Sequence, residues 1–242
     1  MRYFIFSDIH GNVEALERVL EETSSLKPDI IVSLGDVVGY GANPNECVEL
    51  VDEYAQIKIG GNHDLAIAGI TDSDDFNRVA KRAIRWTASI LHPQRIEMLG
   101  RYDPMRRHGE CVFAHASPLS PLDWDYIYTV KQAQNVFEGV QERFIFIGHT
   151  HVPGIVVWDR RDGCTVLDSP ITQIKPECHY LVNVGSIGQP RDGIAAASYA
   201  IFDTKKGMIA IRRIPYDIEL AQEKIRSAGL PESLASRLVT AT

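Results

Sequence analysis

Residues 4–10 read Phe4-Ile5-Phe6-Ser7-Asp8-Ile9-His10, a short β-favouring apolar run that stops on an acid and an imidazole. Four later stretches end in the same way. Residues 30–36 (IIVSLGD) close on Asp36, and residues 57–64 (IKIGGNHD) close on Asn62, His63 and Asp64. Residues 111–115 (CVFAH) close on His115, and residues 144–151 (FIFIGHTH) on His149 and His151. Between the first two runs, Val13, Leu16, Val19 and Leu20 recur at helical spacing over 12–23. A second helix is predicted over 44–53, opened by Asn43 with Pro44 at its first position. The third run, predicted over 55–59, completes strand–helix–strand–helix–strand. That order implies right-handed crossovers and a parallel sheet. In open α/β sheets ligands bind beyond the carboxyl ends of the strands. Here that edge is supplied with Asp, Asn and His.

Further along, a helix is predicted over 74–91, with Phe76, Val79, Ala83, Trp86 and Ile90 on one side, and another over 130–138. After residue 150 the pattern turns to hairpins, with Asp162-Gly163 and Lys205-Lys206-Gly207 as turn signals. A last helix is predicted over 218–228. The sum is an α/β fold, a four-layer α/β/β/α sandwich of two facing mixed sheets with outer helices. It is read as a single domain over 1–242, with a helical lid insertion at 65–105.

Residues i and i+2 of an extended segment point to one side. Asp8 and His10 can therefore grip one ion together, as can His149 and His151, unless the chain turns between them. Glycines precede Asp36, Asn62 and His149, where they permit tight turns and close backbone approach. Asp8, His10, Asp36, Asn62, His115, His149 and His151 make a mixed set of carboxylate, amide and imidazole ligands. Such a set suits Mn, Fe, Co, Ni or Zn and is too rich in nitrogen for a Ca or Mg cage. Seven ligands exceed one tetrahedral site but fit two ions that share a carboxylate.

Composition narrows the class. The 242 residues carry 25 Lys+Arg against 32 Asp+Glu, a formal charge of −7, which does not favour a general nucleic-acid binder. No apolar run approaches the length of a membrane span, roughly 20 residues. The N-terminus reaches Asp8 and His10 too early for a secretory signal. Cys47, Cys111, Cys164 and Cys178 form no CxxC pair and read as reduced thiols. A cytoplasmic protein is expected, with no membrane and no long nucleic acid among its partners. A homo-oligomer is left open.

Taken together, Asp8-x-His10, Gly35-Asp36, Gly61-Asn62-His63-Asp64, His115 and Gly148-His149-x-His151 resemble the signature of the calcineurin-like metallophosphoesterase superfamily. Residues 182–193 (VNVGSIGQPRDG) are similar to a stretch of its small prokaryotic branch. The resemblance implies that Asp8, His10 and His151 hold one ion, that Asn62, His115 and His149 hold the other, and that Asp36 bridges them. It implies that His63 faces the substrate as the catalytic imidazole and that Asp64 orients it. Two dications against two carboxylates leave a local charge of about +2, which offsets phosphate repulsion. The expected activity is hydrolysis of small or nucleotide phosphate esters, above all diesters, by attack of a metal-bridging hydroxide. A dinucleoside polyphosphate hydrolase is the alternative. A protein serine/threonine phosphatase, a nuclease and a non-catalytic scaffold rank lower. Arg191 is a candidate for substrate binding, unless it pairs with Asp192 or Asp203. Tyr40, Asn43 and the aromatics Trp124, Tyr126 and Tyr128 could border the pocket or pack locally. The basic run 101–108 reads as a solvated face.

Overall fold

The computed structural model describes all 242 residues. In chain order the first elements are β1 (Arg2–Phe6), α1 (Val13–Leu26), β2 (Ile30–Ser33), α2 (Pro44–Tyr54) and β3 (Ile57–Lys58). Three helices follow, α3 (Asn62–Ile67), α4 (Arg78–Ile90) and α5 (Pro93–Leu99). Next come β4 (Met105–His108), β5 (Cys111–Ala114), α6 (Val130–Gly139) and β6 (Phe144–Ile147). The strands β7 (Gly154–Asp159), β8 (Gly163–Val166), β9 (Ile171–Gln173), β10 (His179–Asn183), β11 (Ala197–Asp203) and β12 (Met208–Ile214) lead to α7 (Ile218–Ser227) and α8 (Glu232–Thr240).

Two six-stranded mixed sheets result, in the orders β3-β2-β1-β11-β12-β9 and β4-β5-β6-β10-β7-β8. Alternation along β1 explains the layering. Tyr3 and Ile5 point into the space between the sheets, where they join Phe113, Phe146, Tyr180 and Phe202. Phe4 and Phe6 point the other way, onto Leu16 and Val19 of α1 and Val48 of α2. The second sheet repeats the device. Val112, Ile145 and Leu181 turn outward onto Ala133, Val136 and Phe137 of α6. Period-2 side chains thus give each central strand two buried faces, and helices must cover both outer ones.

The parallel members are β1, β2 and β3 in one sheet and β5, β6 and β10 in the other. Each of the five motif runs leaves one of these strands at its carboxyl end, where ligands gather in α/β sheets.

Local signals set most element ends. Asn12 caps α1 by accepting from Ala15 N at 3.1 Å. Pro44 opens α2, while Asn43 turns its side chain to Glu46 instead of capping. Several elements differ from the sequence reading. Within the basic run 101–108, whose arginines are solvent-exposed as expected, residues 105–108 also form edge strand β4, with Arg106 and Arg107 paired outward to Asp103 and Glu142. The helix expected over 74–91 starts at Arg78, because Asn77 accepts from Val79 N and Ala80 N and so caps it. Phe76 is thereby left outside the helix. Short α3, α5 and β9 carry too little periodicity to be read from sequence, and α8, which buries Leu234, Ala235 and Leu238, is a further terminal helix beyond the one expected over 218–228.

Phe202 ties the sheets together. Its ring lies 4.5 Å from that of Phe144, 5.5 Å from Phe146 and 5.6 Å from Tyr3. Phe202→Ala is expected to cost about 3–5 kcal/mol, read as a lowered urea midpoint at unchanged m-value.

Candidate metal centre

The strand ends deliver their polar residues through strained backbone. Eight non-glycine residues have positive φ, and five of them are Asp8 (55°), His10 (51°), Asp36 (52°), His149 (66°) and His151 (59°). Left-handed backbone disfavours residues bearing a Cβ, and such strain tends to gather at functional sites. This also settles the spacing question. Asp8 and His10 lie in turns, not on an extended segment, so their convergence comes from the turn and not from strand alternation. Two glycines make room. A Cβ on Gly61 would run into the Asp36 carboxylate and amide, and one on Gly148 into Ser7 Oγ and Asp8 Oδ2.

All nine residues singled out by the motifs are buried. Asp8, His10 and His151 place one ligand atom each within 4.8 Å of one another, and so do Asp36, His115 and His149. His10, Asp36 and His63 form a third such group. Asn62 Oδ1 lies 3.2 Å from His115 Nε2. The Nδ1 atoms of His10, His115 and His151 face the carbonyls of Val38 (3.2 Å), Leu34 (2.9 Å) and Gln189 (2.6 Å). A carbonyl only accepts, so each Nδ1 must donate, and each ring, once its Nε2 is unprotonated, turns that lone pair inward. His10 Nε2 and His151 Nε2 then face each other at 3.1 Å, and His115 Nε2 faces His149 Nδ1 at 3.1 Å. Facing lone pairs repel unless a cation or proton lies between them. Asp8 Oδ1 is buried without a donor, 3.2 Å from His151 Nε2. Asp36 Oδ2 lies between the two imidazole pairs, 3.6 Å from His10 Nε2 and 3.4 Å from His115 Nε2. Inward lone pairs and an orphaned carboxylate oxygen are what bound cations require, so the donor set fits metal ions.

Electrostatics follow from this packing. Burial acts to raise the Asp8 and Asp36 carboxyls, but the adjacent imidazoles outweigh it and hold both below the usual range. Burial drives His149 down to about 3 and His63 down to about 4. His115 goes the other way. Burial opposes its charge, yet the Asp36 carboxylate prevails and lifts it to about 9.

A cavity of about 120 Å³ opens over the cluster, lined among others by Asp36, Asn62, His63, His149, His151 and Arg191. His63 projects into it between the rings of His10 (4.8 Å), Tyr40 (4.6 Å) and Phe76 (4.8 Å). Its Nδ1 has no hydrogen-bond partner. This corrects the expectation for Asp64, whose carboxylate accepts from Val38 N and Gly61 N, each at 3.1 Å. Asp64 therefore braces the start of α3 and the loop after β2, and does not orient the imidazole directly. Burial, with Asp36 nearby, raises Asp64 to about 7.

Arg191 pairs with neither Asp192, which binds Arg213, nor Asp203, which binds Arg2. It lines the cavity and donates to Gln189 Oε1 at 3.0 Å. Tyr40 reaches the cavity, whereas Asn43 stays with α2. The Tyr126 ring stacks on His149 at 4.1 Å, and Tyr128 stacks on Tyr126 at 5.2 Å. Sequence reasoning missed the roles of Phe76 and Gln189. Phe76 looked like part of a helix face, and Gln189 acts on His151 through a backbone carbonyl that no side-chain type reveals.

Residues 1–207 match the calcineurin-like phosphoesterase superfamily domain. Protein MJ0912 of Methanocaldococcus jannaschii is 39% identical over 238 residues, covering 97% of this chain and 96% of that protein. A metallophosphoesterase from Sphaerobacter thermophilus superposes with a TM-score of 0.87 at 38% identity, over 100% of this chain and 99% of that one. Protein PH1004 of Pyrococcus horikoshii OT3 shares the fold, with a TM-score of 0.81 at 19% identity over 100% and 98% of the two chains. The chain belongs to the calcineurin-like phosphoesterase superfamily. No helix is long and apolar enough to cross a membrane.

Because His115 is held at about 9 by Asp36 in the metal-free centre, it is protonated at neutral pH and must lose that proton to bind a metal. Metal affinity should rise from neutral pH to about 9 and level off above it as far as His115 decides. Calorimetric titration of manganese in buffers of differing ionisation enthalpy should report the released proton.

Proposed function

We propose that this chain is a dinuclear metal-dependent phosphoesterase, most suited to small or nucleotide phosphodiesters. The observation that carries the reading is the pair of inward-facing imidazole couples with Asp36 Oδ2 between them. Asp8, His10 and His151 would hold one ion, Asn62, His115 and His149 the other, and Asp36 both. The donor set favours Mn, Fe, Zn, Ni or Co. When bound, such ions supply a water of lowered pKa and neutralise phosphoryl oxygens.

The chain's own side chains do the rest. The carbonyls of Val38, Leu34 and Gln189 fix ring tautomers and orientation, so the centre is preorganised. His63 lines the cavity, where it would face a departing ester oxygen. Burial keeps it neutral near physiological pH, which suits a hydrogen-bond donor to developing charge better than a stored acid proton. Arg191 lines the same cavity and would bring positive charge to its flank for an anionic substrate. Phe76, Tyr40 and Tyr126 exclude water and give the leaving group an aromatic wall.

A cavity of about 120 Å³ accepts a phosphoryl group and its first substituents. It supports a small substrate over a folded phosphoprotein or a long nucleic acid. We also read residues 1–242 as one working unit, with the 65–105 segment as the cover of the site. Cys47, Cys111, Cys164 and Cys178 are all free, which suits a reducing cytoplasm.

Metal-stripped protein restored with Mn, Ni, Co, Zn or Mg should hydrolyse bis-p-nitrophenyl phosphate and hold two ions per chain. Two ions without turnover on any ester would overturn the enzymatic reading, and fewer than one ion would overturn the metal centre itself. Asp36→Asn should lose both ions by elemental analysis, together with any metal-induced rise in Tm. His63→Ala should retain the ions and lose roughly 10²–10⁴ in kcat. Loss of metal instead would make His63 a ligand.

A further inference from the structure

Two arginines meet beside the cavity without a carboxylate between them. Arg191 Nη2 lies 3.0 Å from Gln189 Oε1, and Arg237 Nη1, from α8, lies 3.3 Å from the same oxygen. Neither guanidinium forms a salt bridge, since nearby Asp192 is taken by Arg213. The Nε of each is buried and has no acceptor. A guanidinium offers five donors, so one amide oxygen leaves most of this pair's capacity unused. Like charges held this close and half out of water repel, and the arrangement is stabilised only when an anion joins them. Burial and the neighbouring Arg191 both pull Arg237 below its usual pKa.

The pair is rigidly coupled to the metal edge. Gln189 is almost wholly buried, its backbone carbonyl accepts from His151 Nδ1, and its backbone amide donates to Ser186 Oγ at 2.8 Å. Arg191 N donates to the His151 carbonyl at 3.2 Å, and the Arg191 guanidinium stands 6.0 Å from the centre of the Tyr40 ring. The Tyr40 ring in turn packs on His10. One glutamine thus orients a candidate ligand through its carbonyl and gathers two cations through its side chain.

We propose that Arg191 and Arg237, held by Gln189, form a subsite for a second phosphate of the substrate, beside the one the metal centre attacks. The inference rests on the phosphoesterase reading and sharpens it. Among the nucleotide esters of that reading, the preferred ones carry a second phosphate joined by an anhydride to the one that the metal centre attacks. Paired guanidiniums suit this class because each fork can take two oxygens of the distal phosphate. Gln189 is the positioning residue, since it touches both arginines but offers the phosphate no charge.

The test is equilibrium dialysis of manganese-loaded protein against AMP and against ADP, which differ by one phosphate. The wild type should bind ADP at least about tenfold more tightly than AMP. Arg237→Gln and Arg191→Gln should each bring the ratio towards one, and Arg237→Lys, which keeps the charge but loses the fork, should fall between. Gln189→Ala should weaken the ADP preference as well. A wild-type ratio near one, or a ratio unchanged in both Arg→Gln variants, overturns the subsite. Thermal unfolding of each variant separates lost binding from lost fold. Turnover of bis-p-nitrophenyl phosphate by the same wild-type preparation separates the two readings. An ADP preference without turnover removes the enzyme and keeps the subsite, whereas turnover without an ADP preference removes the subsite alone.

Discussion

Two buried carboxylates and four imidazoles, with their free atoms turned towards one another, are the constraint around which the loops of this molecule are arranged. Charges and lone pairs taken out of water must be matched, or the fold bears several kcal/mol for each. Here a cation or a proton has to match them, because three of the four rings already donate their Nδ1–H to backbone carbonyls. The rest of the architecture can be understood as the means of holding that repulsive cluster together. Two sheets press their parallel strands side by side, and the aromatic layer between them, centred on Phe202, keeps their carboxyl edges in register.

Strain is concentrated where the chemistry lies. Five cluster residues occupy left-handed backbone that residues with a Cβ rarely adopt. They stay there because hydrogen bonds fix the turns on both sides. Asp8 N donates to Gly35 O, His10 N to Asp36 O, and Gly188 N to Asp8 O. Each loop is therefore locked by another loop from the same edge. This cross-bracing explains why the close approaches at Gly61 and Gly148 admit no larger side chain. It also gives Asp64 its place. A carboxylate that spans the Val38 and Gly61 amides ties the Asp36 loop to the helix bearing Asn62 and His63.

The cavity above the cluster is asymmetric. One flank is aromatic, with Phe76 and Tyr40 around His63 and Tyr126 against His149. The other flank is cationic, with Arg191 backed by Arg237. An ester bound between them would meet apolar surface on one side and charge on the other. That polarity follows from the way α8 and the segment after β10 come together, and it distinguishes the mouth of the site from its metal-facing floor.

Much of this was legible in the sequence. Short continuous apolar runs, each ending on Asp, Asn or His, identify the strands and the edge where ligands gather, because strands buried on both faces are apolar throughout. Those run ends also bring forward Asp8, His10, Asp36, Asn62, His63, His115, His149 and His151 as candidate site residues, since few other roles call for those side chains at consecutive strand ends. Other features depended on contacts between segments far apart in the chain. The bonding of Asp64 to backbone amides, the release of Phe76 from its helix to face His63, the carbonyl of Gln189 behind His151 and the meeting of Arg191 with Arg237 leave no local pattern. Each arises from backbone groups and loop ends brought together across more than one element, and only the packed sheets decide which of them touch.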